Sequence, residues 1–204
     1  VKMPKGLSMH SSMIIGTAGF TAAECVQKLE HSGMTPASGP VLVTGATGGV
    51  GSVAVKLLAQ LGYEVAAVTG KEGQHDFLRS LGASEILSRE EANVGSDKPM
   101  LAERWGGVVD TVGGDILFNG VKSLRYGCSL AACGLVAAPV FSASVLPFIL
   151  RHVNLLGIDS VQLPIGEKAE IWHRLGEEWL MDLSDLEEVL TLDDLSGAID
   201  RILS

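Results

Sequence analysis

The chain has 204 residues, 47% of them hydrophobic, with 25 glycines and a net charge of −9 at neutral pH. This length and hydrophobicity supply a sizeable core and exclude a disordered chain, and the glycines follow no collagen-like period. The acidic balance excludes nucleic acid and an anionic membrane surface as main partners, because phosphate binding needs a basic face.

Residues 1–8 read as a connector containing Pro4, Gly6 and Ser8. From Ser11 to His31 an alanine-rich segment reads as helix, broken near Gly16 or Gly19, with Ile14, Ile15, Ala18, Ala22, Cys25, Val26 and Leu29 at helical spacing. Ser38-Gly39-Pro40 turns the chain into a first strand, 41–44. A helix over 49–61 ends at Gly62, and the strand 64–69 is nearly all apolar, as a strand covered on both faces requires. A helix over 73–81, a short strand 84–87 and a polar stretch 89–104 follow, with a short helix expected near 97–104. Then come a strand 107–111, a helix 114–124, a strand 127–133, a short helix within 142–151 and a strand 153–158. The segment 166–204 reads as helices separated near Asp182-Leu183-Ser184 and Leu192-Asp193-Asp194. Strands alternating with helices in this way predict an α/β fold of the Rossmann type: a doubly wound, mainly parallel six-stranded sheet with helices on both faces. The expected organisation is a connector (1–8), a dinucleotide-binding domain (9–165) and a C-terminal helical segment (166–204).

The functional signal is the turn after the first strand, Val43-Thr44-Gly45-Ala46-Thr47-Gly48-Gly49-Val50-Gly51. An apolar strand enters it and a helix leaves it, so unpaired N–H groups and the positive end of a helix dipole face whatever sits in the turn. That is a pyrophosphate site, with Thr47, Gly48, Gly49, Val50 and Gly51 as its candidate residues. The spacing fits two glycine grammars, the dinucleotide fingerprint with alanine at its first position and the short-chain dehydrogenase fingerprint. The end of the second strand selects the cofactor. An NAD site places an acidic residue there for the ribose 2′-OH; this chain has Thr69-Gly70-Lys71, a hydroxyl, a glycine and a cation suited to a 2′-phosphate. Arg89, past the third strand, is a second candidate cation, and Glu72 stands against this assignment.

Other chemistries lack their residues. A short-chain dehydrogenase needs Tyr-x-x-x-Lys, but Tyr63 is followed four on by Ala67 and Tyr126 by Leu130. A P-loop needs lysine after the turn, and Gly51-Ser52-Val53 has none. The five histidines are scattered without ligand spacing, so no metal site is expected. Cys25, Cys128 and Cys133 form no C-x-x-C and read as buried free thiols of a reducing, cytoplasmic compartment. No apolar run reaches transmembrane length. Asp110 reads as a cap for the glycine turn that follows it, and Trp172 and Trp179, seven apart, as packing residues on one helical face.

Met13-Ile14-Ile15-Gly16-Thr17-Ala18-Gly19-Phe20-Thr21-Ala22 leads into the glycine turn, and the further segments Thr69-Gly70-Lys71, Leu81-Gly82-Ala83, Asp110-Thr111-Val112-Gly113-Gly114 and Ala132-Cys133-Gly134-Leu135 follow it. With these, residues 1–165 resemble the medium-chain dehydrogenase/reductase superfamily. Pro147-Phe148-Ile149-Leu150-Arg151 and Leu156-Gly157-Ile158-Asp159-Ser160-Val161 are similar to its acrylyl-CoA reductase and quinone oxidoreductase branch. The resemblance implies a zinc-independent, NADPH-dependent reduction of an activated C=C bond, acryloyl-CoA to propanoyl-CoA. The alternatives are quinone reduction and a non-catalytic NADP(H)-binding module. It implies cofactor contacts from Thr47 to Val50, from Thr69 to Lys71 and from Arg89, with Leu135 and Leu150 near the nicotinamide. It also implies a homodimer formed through the sheet edge, with an enoyl-CoA or quinone-type small molecule as substrate. Family members carry a GroES-like domain that these 204 residues do not include, so the chain is expected to be the cofactor domain of a larger enzyme, with catalytic residues elsewhere and no turnover by itself.

Overall fold

In the computed structural model, which describes residues 1–203, the chain enters through a long helix, α1 (Met9–His31). Ser8 caps it, its hydroxyl accepting the Ser11 N–H at 2.9 Å. The expected break falls at Gly16, where φ is 49° and ψ is −156°, a conformation open essentially to glycine. Then follow β1 (Val41–Val43), α2 (Gly49–Gln60), β2 (Val65–Val68), α3 (His75–Ser80), β3 (Glu85–Leu87), α4 (Arg89–Asn93), β4 (Gly107–Asp110), α5 (Gly114–Lys122), β5 (Ser129–Ala132), α6 (Leu146–Arg151), β6 (Asn154–Gly157), α7 (Ile165–Gly176) and α8 (Leu195–Leu203). Ser204 lies outside the described residues.

The six strands form one parallel sheet in the order β3-β2-β1-β4-β5-β6. Chain order reverses between β1 and β4, which pair with Val43 beside Val109, so the carboxyl ends of these two strands open a crevice at the switch point. Side chains alternate across the sheet, as the strand period demands. Val41, Val43, Val65, Ala67, Val109 and Ala131 face a core shared with α1, α2 and α7. Leu42, Ala66, Val68, Val108 and Leu130 face a second core under α5. At roughly 1.5–3 kcal/mol for each fully buried large aliphatic side chain, these two layers dominate the stability of the domain.

Two expectations are corrected. No helix forms over 97–104. The short helix is α4, started by the capping box of Ser88 and Glu91, while the stretch after it is drawn onto α5 through Leu101 N–H to Lys122 O (3.2 Å) and Arg104 N–H to Ser123 O (2.8 Å). Trp172 and Trp179 do not share a helical face, because α7 ends at Gly176. Trp179 instead lies buried beneath the Arg174 guanidinium, 3.5 Å from the ring centre. The segment after residue 165 packs on this domain: Ile171, Leu175, Trp179, Met181 and Leu183 share the core of α1 and β1. No helix among the described residues is long and apolar enough to cross a membrane.

Candidate functional site

The glycine turn lies at the carboxyl end of β1. Gly45 adopts a φ of 60°, and a methyl group there would overlap the Thr111 hydroxyl. A methyl group on Gly51 would overlap the Gly45 carbonyl oxygen, so the turn and the first turn of α2 touch backbone to backbone. Gly48 is the N-cap of α2 and supplies no side-chain acceptor. The N–H groups of Gly49, Val50 and Gly51, first in the helix, have no intrahelical partner. Gly48 and Gly49 are exposed and Thr47 and Val50 half-buried, so the orphaned donors open toward the crevice. This arrangement fits an anion.

The crevice floor is fixed by a polar latch. Thr44 Oγ1 donates to Asp110 Oδ1 at 2.6 Å, Thr111 N–H donates to Thr44 Oγ1 at 3.1 Å, and Thr111 Oγ1 donates to Thr44 O at 2.9 Å. The other oxygen of Asp110 accepts the Gly113 N–H at 2.8 Å, which fixes the turn that leads into α5. Burial pushes the Asp110 carboxyl up, with the Thr44 and Gly113 bonds opposing. Asp110 is a structural residue.

The end of β2 assembles the second part of the site. Thr69 is buried; its Oγ1 accepts the Lys71 N–H at 3.0 Å and lies 3.5 Å from Thr47 Oγ1. A methyl group on Gly70 would stand 2.6 Å from Arg89 Nε and 2.8 Å from its Cζ, so the absence of a side chain at 70 is what lets the guanidinium lie there. Lys71 and Arg89 are exposed, and among the described residues neither makes an ion pair within 4.0 Å. Two uncommitted cations thus flank one strand end beside the anion-binding turn. Thr47, Gly48, Gly49, Val50, Gly51, Thr69, Gly70, Lys71 and Arg89 form one continuous strip.

Leu135 also lies on this edge: its Cα would be 3.1 Å from a methyl group on Gly113, and its side chain is exposed. Leu150 does not. The carbonyl of the next residue, Arg151, accepts the Gly127 N–H at 2.8 Å, and the Arg151 guanidinium reaches Leu101 O and Lys122 O at 2.6 and 2.8 Å. Those partners precede β4 and β5, so Leu150 sits toward the amino edge of the sheet, away from the turn; α6 runs toward the start of β6 and carries it there. Sequence reading missed Thr21 and Ser160, whose hydroxyls meet at 3.1 Å where α1 passes the carboxyl end of β6. Ala18 of α1 stands beside Gly49, the first residue of α2, which brings this stretch of α1 to the turn. The rule that ligands collect at carboxyl strand ends, applied to Ile158-Asp159-Ser160, is the signal that finds Ser160.

Cys133 is half-buried and donates to Asp110 O at 3.3 Å. Cys25 is fully buried; its contact with Cys133 and its burial push its thiol well above the usual range, so it is no thiolate nucleophile. Among the described residues no group of three or more His, Cys, Asp or Glu side chains is arranged to hold a metal ion.

The family model for zinc-binding dehydrogenases matches residues 49–177. The acrylyl-CoA reductase AcuI of Ruegeria pomeroyi is 50% identical over 198 residues, 97% of this chain and 60% of AcuI. YhfP of Bacillus subtilis, which bears the name "Putative quinone oxidoreductase", is 44% identical over 205 residues, 100% of this chain and 62% of YhfP. The crystal structure of YhfP with NAD bound matches with a TM-score of 0.94. The yhdH oxidoreductase of Salmonella enterica, solved with NADP, matches with a TM-score of 0.93 and 46% identity over 100% of this chain and 62% of that one. The chain therefore spans about three-fifths of the length of these relatives.

Proposed function

Because the chain belongs to the zinc-binding dehydrogenase family, within the medium-chain dehydrogenase/reductase superfamily, we propose that it is the NADPH-binding part of an oxidoreductase that reduces the activated double bond of an enoyl thioester, acryloyl-CoA in particular. The observation that carries this reading is the strip at the switch point, where three orphaned helix N–H groups adjoin two unpaired cations.

In this reading the N–H groups of Gly49, Val50 and Gly51 take the pyrophosphate, with Thr47 beside them. Thr69 and Lys71 take the 2′-phosphate of the adenosine ribose, and Arg89 closes on it across Gly70. Bound NADPH supplies a hydride, and adding hydride and proton across the double bond of acryloyl-CoA yields propanoyl-CoA. The residues of this chain bind and orient: Leu135 supplies an apolar wall at the carboxyl end of β5, and the Thr21–Ser160 pair holds α1 against the end of β6 on the nicotinamide side. The exposed edge of β6, where Asn154, Leu155 and Gly157 face outward, is the surface for pairing with a second copy.

The Bacillus subtilis relative, a quinone oxidoreductase by name and solved with NAD, favours a second reading in which a quinone is the acceptor. Assaying NADPH oxidation by the full-length parent with acryloyl-CoA and with a simple quinone separates the two. Acryloyl-CoA-dependent turnover is expected. Turnover with quinone alone supports the second reading, and no turnover with either leaves a binding module without chemistry.

A further inference from the structure

We propose that Asn119 and Lys122, two buried polar residues of α5, are positioning residues that hold Arg89 over Gly70 and thereby set the preference for a cofactor bearing a 2′-phosphate. The proposal rests on the reading of Thr69, Lys71 and Arg89 given above.

Arg89 is the first residue of α4, which has five residues. A helix that short does not hold itself. Its capping box closes only its own start: Ser88 N–H to Glu91 Oε2 at 2.7 Å and Glu91 N–H to Ser88 Oγ at 3.1 Å. Its apolar anchor is small, since among α4 residues only Ala92 packs on the core under α5. Polar ties from α5 do the rest. Asn119 Nδ2 donates to Ala92 O at 3.2 Å, in the last turn of α4. Lys122 Nζ donates to Ser96 O at 2.9 Å, Lys98 O at 3.0 Å and Gly95 O at 3.4 Å, in the segment that leaves α4.

Both side chains are 2% exposed. A buried ammonium is costly unless its donors are matched, and here three donors meet three carbonyls. Among the described residues Asn119 Oδ1 is buried without a partner, a cost that its amide bond to α4 offsets. α5 is itself a firm base: Arg151 clamps Lys122 O and Leu101 O, and Ser123 Oγ donates to Asn119 O at 2.6 Å. The chain therefore fixes the exit of α4 to α5 from two buried points, and Arg89 at its entry inherits that placement. Loosening either point frees the guanidinium to leave Gly70 without touching the pyrophosphate turn.

The test is titration of NADPH and NADH into this chain, followed by fluorescence, for wild type, Arg89→Ala, Lys122→Met, Asn119→Ala and the double variant Arg89→Ala/Lys122→Met. Wild type is expected to bind NADPH more tightly than NADH. Arg89→Ala is expected to weaken NADPH about tenfold and leave NADH unchanged. Lys122→Met and Asn119→Ala should each weaken NADPH about three- to tenfold, again sparing NADH, and the double variant should bind NADPH no more weakly than Arg89→Ala alone. If Lys122→Met does not fold, Asn119→Ala and its double with Arg89→Ala carry the same comparison. Equal losses of NADPH and NADH, no loss, or additive losses in the double variant overturn the positioning role while leaving the 2′-phosphate assignment standing. Unchanged NADPH affinity in Arg89→Ala overturns both.

Discussion

The hydroxyl of Thr44 donates to Asp110 Oδ1 at 2.6 Å while accepting the Thr111 N–H at 3.1 Å, so one side chain ties the ends of β1 and β4 where the strand order reverses. Thr44→Val keeps the shape and removes both bonds, leaving a buried carboxylate oxygen and a backbone N–H unmatched. The expected cost is ~1–3 kcal/mol, read from chemical denaturation. A change under about 0.5 kcal/mol, the range of an ordinary surface substitution, would show that the latch is not structural.

Gly51→Ala drives a methyl group into the Gly45 carbonyl oxygen and to 2.8 Å from Ala46 Cα. Backbone cannot yield as a side-chain tip does, so the turn must open. Thermal or chemical unfolding should register a loss of ~1–3 kcal/mol, and titration should show NADPH and NADH weakened together, because both share the pyrophosphate. Retained affinity for both would mean that the pyrophosphate does not sit here.

Lys71→Ala should cost NADPH binding ~1–3 kcal/mol at low salt and spare NADH, the mark of a contact to the 2′-phosphate. Because Lys71 is exposed, the difference should shrink as ionic strength rises. Tighter binding of NADH than NADPH by the wild-type chain would remove the assignment.

Among the described residues Glu24 has both carboxyl oxygens buried without a hydrogen-bond partner, and it stands 4.0 Å from Lys28. Burial raises its pKa above the ordinary 4.5, with Lys28 opposing. Its ionised form is therefore less welcome in the fold than in the unfolded chain. Stability is unaffected below 4.5 and declines as pH rises from there through the raised folded value. Glu24→Gln should flatten that decline and raise the melting temperature above it; Asp110, also raised by burial, leaves a residual slope. Melting curves from pH 4 to 8 with identical slopes for both proteins would refute this.

Trp179→Ala should destabilise the chain by ~3–5 kcal/mol, because the indole is 1% exposed and capped by Arg174. Differential scanning calorimetry measures it. A loss below about 1 kcal/mol would mean that the segment after α7 docks weakly.

The strands were readable because buried parallel strands are written as unbroken apolar runs, Val41-Leu42-Val43 and Val65-Ala66-Ala67-Val68, closed by glycine. The turn and Thr69-Gly70-Lys71 were readable because each is contiguous. Arg89 is visible in the sequence only as a cation past a strand end; its approach to Gly70 depends on α4, which the S-x-x-E box at Ser88–Glu91 starts eight residues ahead of the expected helix. Asn119 and Lys122 look like ordinary polar positions of a helix, because their partners lie 24 to 27 residues back in the chain. Leu150 was misplaced for a related reason: α6 runs back toward the amino edge, and only the bonds of Arg151 reveal its heading.

The pyrophosphate seat proposed for Gly49, Val50 and Gly51 is made of main-chain N–H groups. Mutation changes side chains, so random substitution at Thr47 or Val50 leaves that seat in place, whereas Gly45 and Gly51 admit almost no replacement. The cations at 71 and 89 are ordinary exposed side chains that one codon change removes. Over long divergence, a lineage that keeps the glycines at 45 and 51 can therefore exchange one nicotinamide dinucleotide for another and still hold one.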